Sequence, residues 1–213
     1  AIIMTQTGGC CRASNYVAFI RRALEKVGLS HIPVISLNAN GMEQNEGFKL
    51  SPLLMTQMLQ AVVYGDLLMR CLYRVRPYEK IKGSADALHS YWRSKCIETL
   101  TSKHSTKQYK RICREIVEDF DHLPIHENLR KPRVGVVGEI LVKYMPLANN
   151  HLVELLEREG AEAVVPDLLD FLNYSFYNNT YRAEFLGAKK STDALSRLVP
   201  ETTLAHLKAR GYL

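Results

Sequence analysis

The sequence predicts an α/β protein: two β-α-β units forming a parallel, Rossmann-like sheet, with an all-helical insertion between them and helices at the C-terminal end. Three observations carry this. Apolar, β-branched runs at 1–5, 32–38 and 131–139 are each followed by polar or glycine-rich stretches. Helical periodicity separates the runs within each half. Between the halves, residues 51–122 contain no stretch that alternates as a strand does.

"AIIMT" (1–5) reads as a buried strand. Residues 14–28 read as a helix, with Ser14 as N-cap, Val17, Ile20 and Leu24 on one face, and Gly28 as the C-terminal stop. "IPVISLN" (32–38) is the second strand. A strand, a crossover helix and a strand imply a parallel pair with a right-handed connection. "NANGMEQNEGFK" (38–49) is a loop rich in Asn and Gly.

Ser51-Pro52 marks a helix start, a capping side chain followed by proline at the first helical position. Leu54, Met58, Ala61, Leu68 and Leu72 then keep helical spacing in a wide apolar stripe, and Gly65 on that side predicts the close approach of a neighbouring helix. "RVRPYEKIKG" (74–83) ends it. Helices are expected near 84–102 and 105–121, so that 51–130 forms a helical insertion.

"KPRVGVVGE" (131–139) restores the strand pattern, and its continuous β-branched run predicts a strand covered on both faces. Asn149 or Asn150 caps the next helix, which reaches about Glu159 before Gly160 stops it. A short strand at 162–166 completes the second β-α-β unit. The chain from about 168 to 210 reads as two helices, the second starting at Ser191 or Thr192.

The composition, 46% apolar and 23% charged over 213 residues, is that of a folded chain with a sizeable core. No apolar run is long enough to span a membrane, and no secretory signal is visible. Alanine as the first residue, inside a strand, leads us to expect a piece of a longer polypeptide. Five cysteines, an odd number without C-x-x-C spacing, argue against a disulfide framework and for a reducing cytoplasm; Cys71, Cys96 and Cys113 fall on helices as buried thiols. Residues 70–131 hold 14 of the 28 Lys/Arg against 8 of the 22 acids. That basic middle is either a solvated helical surface or a contact for an anionic partner, and no nucleic-acid module accompanies it.

Ligands of open parallel sheets gather at the carboxyl edge of the strands, which here means loops 6–13, 38–50 and 138–149. In the first, "TQTGGCCRASNY", Gly8 and Gly9 permit unusual backbone, while Cys10 and Cys11 precede a helix N-terminus beside Arg12. A thiolate there is stabilised and reactive. The same residues also suit a plain strand-to-helix turn, and the residues alone leave both readings open. The loop is neither G-x-G-x-x-G nor a P-loop. In the third loop, Glu139 is either a catalytic carboxylate or an acceptor that fixes a loop, Lys143 and Tyr144 either meet an anionic ligand or lie at the surface, and Asn149 and Asn150 read as caps. The seven histidines show no metal-ligand spacing.

"TQTGGCCRASNYVAFIRRALEKVGLSHIPVISLN", "VYGDLLMRCLYRVRPYE" and "RVGVVGEILVKYMPLANNHLVELLEREGAEAVVPDLLDF" resemble the 2-hydroxyacyl-CoA dehydratase-like part of large CoA-enzyme activase proteins, over most of the chain to about residue 175. The resemblance implies a cytoplasmic protein of anaerobic bacteria. It implies ATP hydrolysis on other domains, coupled to delivery of a low-potential electron through a [4Fe–4S] cluster to an acyl-CoA. The family's cysteine aligns with Cys11, which inherits the candidate ligand role, with Gly8, Gly9 and Arg12 around it. Cys10 stands where the family usually has a third glycine. A [4Fe–4S] cluster needs three or four thiolates, so this chain by itself is expected to be cluster-free and to rely on other domains of the same polypeptide. The competing expectation is a non-catalytic docking or scaffold domain that contacts partner domains through the basic helical insert. Neither nucleic acid nor membrane is an expected partner.

Overall fold

The computed structural model describes residues 1–6, 12–38, 51–171, 174, 181 and 184–187. It is mixed α/β and divides into two units, Ala1–Pro52 and Leu53–Leu213.

In the first unit, β1 (Ile2–Gln6) and β2 (Val34–Asn38) pair in parallel with Ile2 opposite Val34 and Gln6 opposite Asn38. Between them the chain turns helical at a 3-10 segment, Arg12–Asn15, and continues as α1 (Tyr16–Lys26). Ser14 therefore lies inside the 3-10 segment. The residue that enters α1 is Asn15, with no side-chain capping bond, which corrects the expected cap. Gly28 has φ +76°, the left-handed conformation that ends helices and suits glycine. Val17 is buried, and Arg21 donates to the Val34 carbonyl at 3.1 Å, tying α1 to β2.

The second unit is built on α2 (Pro52–Val75), α3 (Ser84–Thr101) and α4 (Thr106–Asp121). α2 runs for 24 residues, about 36 Å. One side of it packs Tyr64, Leu68, Cys71 and Leu72 against Trp92 and Cys96 of α3 and Ile112, Ile116 and Phe120 of α4. Trp92 donates its indole N–H to Asp119 at 3.0 Å, which fixes the rotation of α3 on α4. Glu79 accepts from the Gly83 and Ala85 amides and the Ser84 hydroxyl, so a side chain outside α3 satisfies its first turn. Ser105 caps α4 through the Gln108 amide.

Gly65 departs from expectation. It is exposed, and a β-carbon built on it meets nothing within 4 Å. The apolar stripe of α2 is wide enough that its edge reaches solvent, and Gly65 lies on that edge.

β3 (Arg133–Gly135) and β4 (Glu162–Val164) form a second parallel pair, joined through α5 (Ile140–Tyr144) and α6 (Leu152–Arg158). α5 occupies what the sequence presents as loop. Val136, Val153, Ala163 and Val165 make a small core, closed by Met69 and Tyr73 from α2. α2 thus serves both cores of this unit. β3 itself is exposed along its length, and Val137 beyond it is 81% exposed. This corrects the expectation of cover on both faces: among the described residues β3 pairs with β4 alone, so its β-branched run sits on an edge. The described strands form two two-stranded sheets.

Candidate functional site

The carboxyl end of β1 is organised by Gln6. Its amide donates to the Ser14 carbonyl at 2.8 Å, and its carbonyl oxygen accepts from the buried Ser36 hydroxyl of β2 at 2.6 Å. One side chain thereby links the strand end, the neighbouring strand and the 3-10 segment, and sets both anchor points of the loop between them. Gly8, Gly9, Cys10 and Cys11 lie outside the described residues. Arg12 opens the 3-10 segment and is exposed. Positions 10 and 11 immediately precede a helical N-terminus, as expected, but of 3-10 type, and α1 proper starts at Tyr16. Loop 39–50 also lies outside the described residues.

The carboxyl end of β3–β4 carries the other candidates. Glu139 is the N-cap of α5, its Oε2 accepting from the Val142 amide at 3.1 Å. Gly138 before it has φ +151°. Asn149 accepts from the Leu152 amide at 3.1 Å and donates to the Val142 carbonyl at 3.0 Å, so it fastens the start of α6 to α5. The chain enters α6 through Asn150 and His151, both with positive φ, and Asn149 supplies the capping contact. The Lys143 ammonium lies 4.5 Å from the Tyr144 ring centroid, and the Tyr144 hydroxyl donates to the Pro166 carbonyl at 2.6 Å. Lys143, Tyr144 and Asn149 line a recess with Met69, Tyr73 and Val153.

Three residues here escape a sequence-only reading. Asp167, just past β4, pairs with Arg70 of α2, whose Nε donates to it at 3.2 Å. Asp66, one turn earlier on α2, accepts the amides of Leu168 and Leu169 at 2.9 and 2.8 Å. The turn after β4 is thus held by Tyr144 at Pro166, by Arg70 at Asp167 and by Asp66 at the next two amides. Burial pushes the Asp167 carboxyl up to about 6, against the pull of Arg70; Asp66 and Asp170 nearby add to the rise. Burial also raises Asp66, opposed by the two amides. Asp167 is 4% exposed and its carboxyl is held by Arg70, so the rise reflects the burial of this turn. Sequence position gives one signal for it: Asp167 follows its strand as Glu139 follows β3. No sequence signal links it to Arg70, which lies 97 residues away.

The thiols of this unit have the opposite character. Cys71, Cys96 and Cys113 are buried in the helical core, and burial raises them to about 12, 12 and 11. A cluster or metal ion takes thiolates, so these three do not fit such a group. Among the described residues no set of three or more His, Cys, Asp or Glu is arranged to hold a metal ion. No described helix is long and apolar enough to cross a membrane.

No protein-family model, curated protein or solved structure matches the chain.

Proposed function

We propose that the chain is the dehydratase-like domain of a 2-hydroxyacyl-CoA dehydratase and CoA-enzyme activase system. In such a system ATP hydrolysis on other domains drives a low-potential electron through a [4Fe–4S] cluster to an acyl-CoA. The observation that carries this reading is where the family-like phrases fall. They coincide with β1-α1-β2 and with β3-α5-α6-β4, and their polar words are the segments at the carboxyl ends of parallel strands, where ligands bind. The proposal takes the two strand pairs as parts of one Rossmann-like parallel sheet in a cytoplasmic protein.

Within this reading Cys11 is the thiolate that the chain offers to the cluster, with Gly8, Gly9 and Arg12 shaping its loop. The buried thiols of the helical core are excluded from that role, so the remaining ligands come from other domains. Glu139 and Asp167 stand at the ends of adjacent strands on the side where an acyl-CoA would sit. Glu139 positions α5 and Asp167 fixes the turn after β4.

The test is anaerobic iron–sulfur reconstitution of the longer polypeptide containing this region, with iron and sulfide counting and EPR. Cys11→Ser is expected to lower iron content and alter the spectrum, whereas Cys96→Ser leaves both unchanged. Equal iron content and the same spectrum in Cys11→Ser would remove Cys11 from the site. Failure of the polypeptide to bind any acyl-CoA in equilibrium dialysis would remove the dehydratase reading.

A further inference from the structure

The charged residues of α4 run in strict order along the chain. Lys107, Lys110, Arg111 and Arg114 come first, and Glu115, Glu118, Asp119 and Asp121 follow. The positive end of a helix dipole is its N-terminus, so this order is the reverse of the one that stabilises a helix by itself. α4 has no acid in its first turn and no base in its last. Within the helix Arg111 reaches Glu115 at 3.5 Å, an exposed pair one turn apart that contributes little. Ile112, Cys113, Ile116, Val117 and Phe120 are buried, whereas Lys107, Arg111, Arg114, Glu118 and Asp121 are all exposed. At about 100° per residue, Lys107, Arg111, Arg114 and Glu118 lie opposite the buried side, with Glu115 and Asp121 flanking them.

We propose that this face docks a second copy of the chain, α4 against α4, antiparallel about a two-fold axis near Arg114 and Glu115. Charge complementarity favours this arrangement. Reversing the direction of one helix sets Lys107 of one copy against Asp121 of the other, Arg111 against Glu118 and Arg114 against Glu115. Each contact then occurs twice, as an isologous interface requires. A parallel arrangement stacks base on base and acid on acid. The antiparallel mate also brings an acidic half and the negative end of a dipole to each basic N-terminal half, which offsets the unfavourable order of charge along the single helix. A nucleic acid or an anionic membrane would gain the basic half and be repelled by the acidic half, so the stripe favours its own copy over either. The contacts are exposed and polar, which makes the dimer weak and sensitive to salt. This docking rests on the charge pattern and exposure of α4, apart from the dehydratase reading.

Sedimentation velocity of the 213-residue chain tests this, at about 20 mM and about 500 mM salt. At low salt the mass is expected to rise with concentration from 24.2 kDa toward twice that value, and to return to 24.2 kDa at high salt. An all-acidic variant (Lys107→Glu, Arg111→Glu, Arg114→Glu) and an all-basic variant (Glu115→Lys, Glu118→Lys, Asp121→Lys) should each self-associate at least about tenfold more weakly. Mixed together, the two should form a one-to-one heterodimer. Circular dichroism checks that both stay helical. Arg111→Gln with Glu118→Gln, which reverses no charge, must also weaken association. A wild-type chain that stays at 24.2 kDa at low salt, reversal variants that self-associate as the wild type does, a mixture that forms no heterodimer, or an unchanged mass in the Gln pair overturns the proposal.

Discussion

Arg70 and Asp167 form an ion pair that fastens the turn after β4 to the middle of α2. The carboxylate is buried and the guanidinium retains partial access to solvent. That difference sets unequal costs for losing either partner. Arg70→Met strands a buried carboxylate and is expected to lower unfolding stability by about 2–4 kcal/mol. Asp167→Asn leaves a cation that can turn outward and should cost less. Urea unfolding of the two variants checks the order, and equal or reversed costs would show that the pair does not hold the turn.

The same carboxyl predicts a pH dependence. Its folded value of about 6 lies above the ordinary 3.8. The folded state therefore holds this proton more tightly than the unfolded state. Stability from this group is fully present below about pH 4 and is lost as pH rises through about 6. Asp167→Asn should flatten that fall, so wild type gains stability relative to the variant as the pH is lowered from 7 to 4. A constant difference over this range would refute the assignment.

Asp66 acts as a remote cap, accepting two amides that begin the helical turn at 168. Asp66→Ala should destabilise by about 1–2 kcal/mol, with faster amide exchange at Leu168 and Leu169. Unchanged exchange there would mean that the amides find other acceptors.

Two substitutions in α2 should do the opposite of what their positions suggest. Gly65→Ala adds a β-carbon into open space within a helix and should stabilise by about 0.5–1 kcal/mol. Tyr64 is 2% exposed, and its hydroxyl has no hydrogen-bond partner among the described residues. Tyr64→Phe should therefore be neutral or stabilising by up to about 1 kcal/mol. Thermal melts of both are sufficient. A clear loss in Tyr64→Phe would reveal a partner for the hydroxyl.

The core thiols should resist reagents. Burial raises Cys71, Cys96 and Cys113 far above neutral pH, so iodoacetamide on the folded chain, followed by peptide mapping, should leave these three unlabelled until urea is added. Early labelling of Cys96 or Cys113 would mean that the α3–α4 pair opens readily.

Much of the fold was legible because its signals are local. Ser51-Pro52 and Ser105 start helices where the chain does, Gly28 and Gly160 end them with positive φ, and the strands of both parallel pairs begin within β-branched runs. The site was less legible. Glu139 could be placed at a strand end, but its bond to the Val142 amide depends on α5, a single short helix inside what reads as loop. Asp66, Arg70 and Asp167 gave no signal as a group, since nothing in a helical stripe marks which polar residue faces a turn about a hundred residues later.

The long helices α2, α3 and α4 and the burial of the three core cysteines follow from the sequence alone, because periodicity, caps and side-chain polarity act over one or two turns. Only the tertiary structure decided that the run of β3 lies on an edge, that Gly65 faces open space and that Asp167 is buried beside Arg70. Each of those depends on what packs against the residue from a distant part of the chain, and desolvation and pairing are properties of that neighbour as much as of the residue.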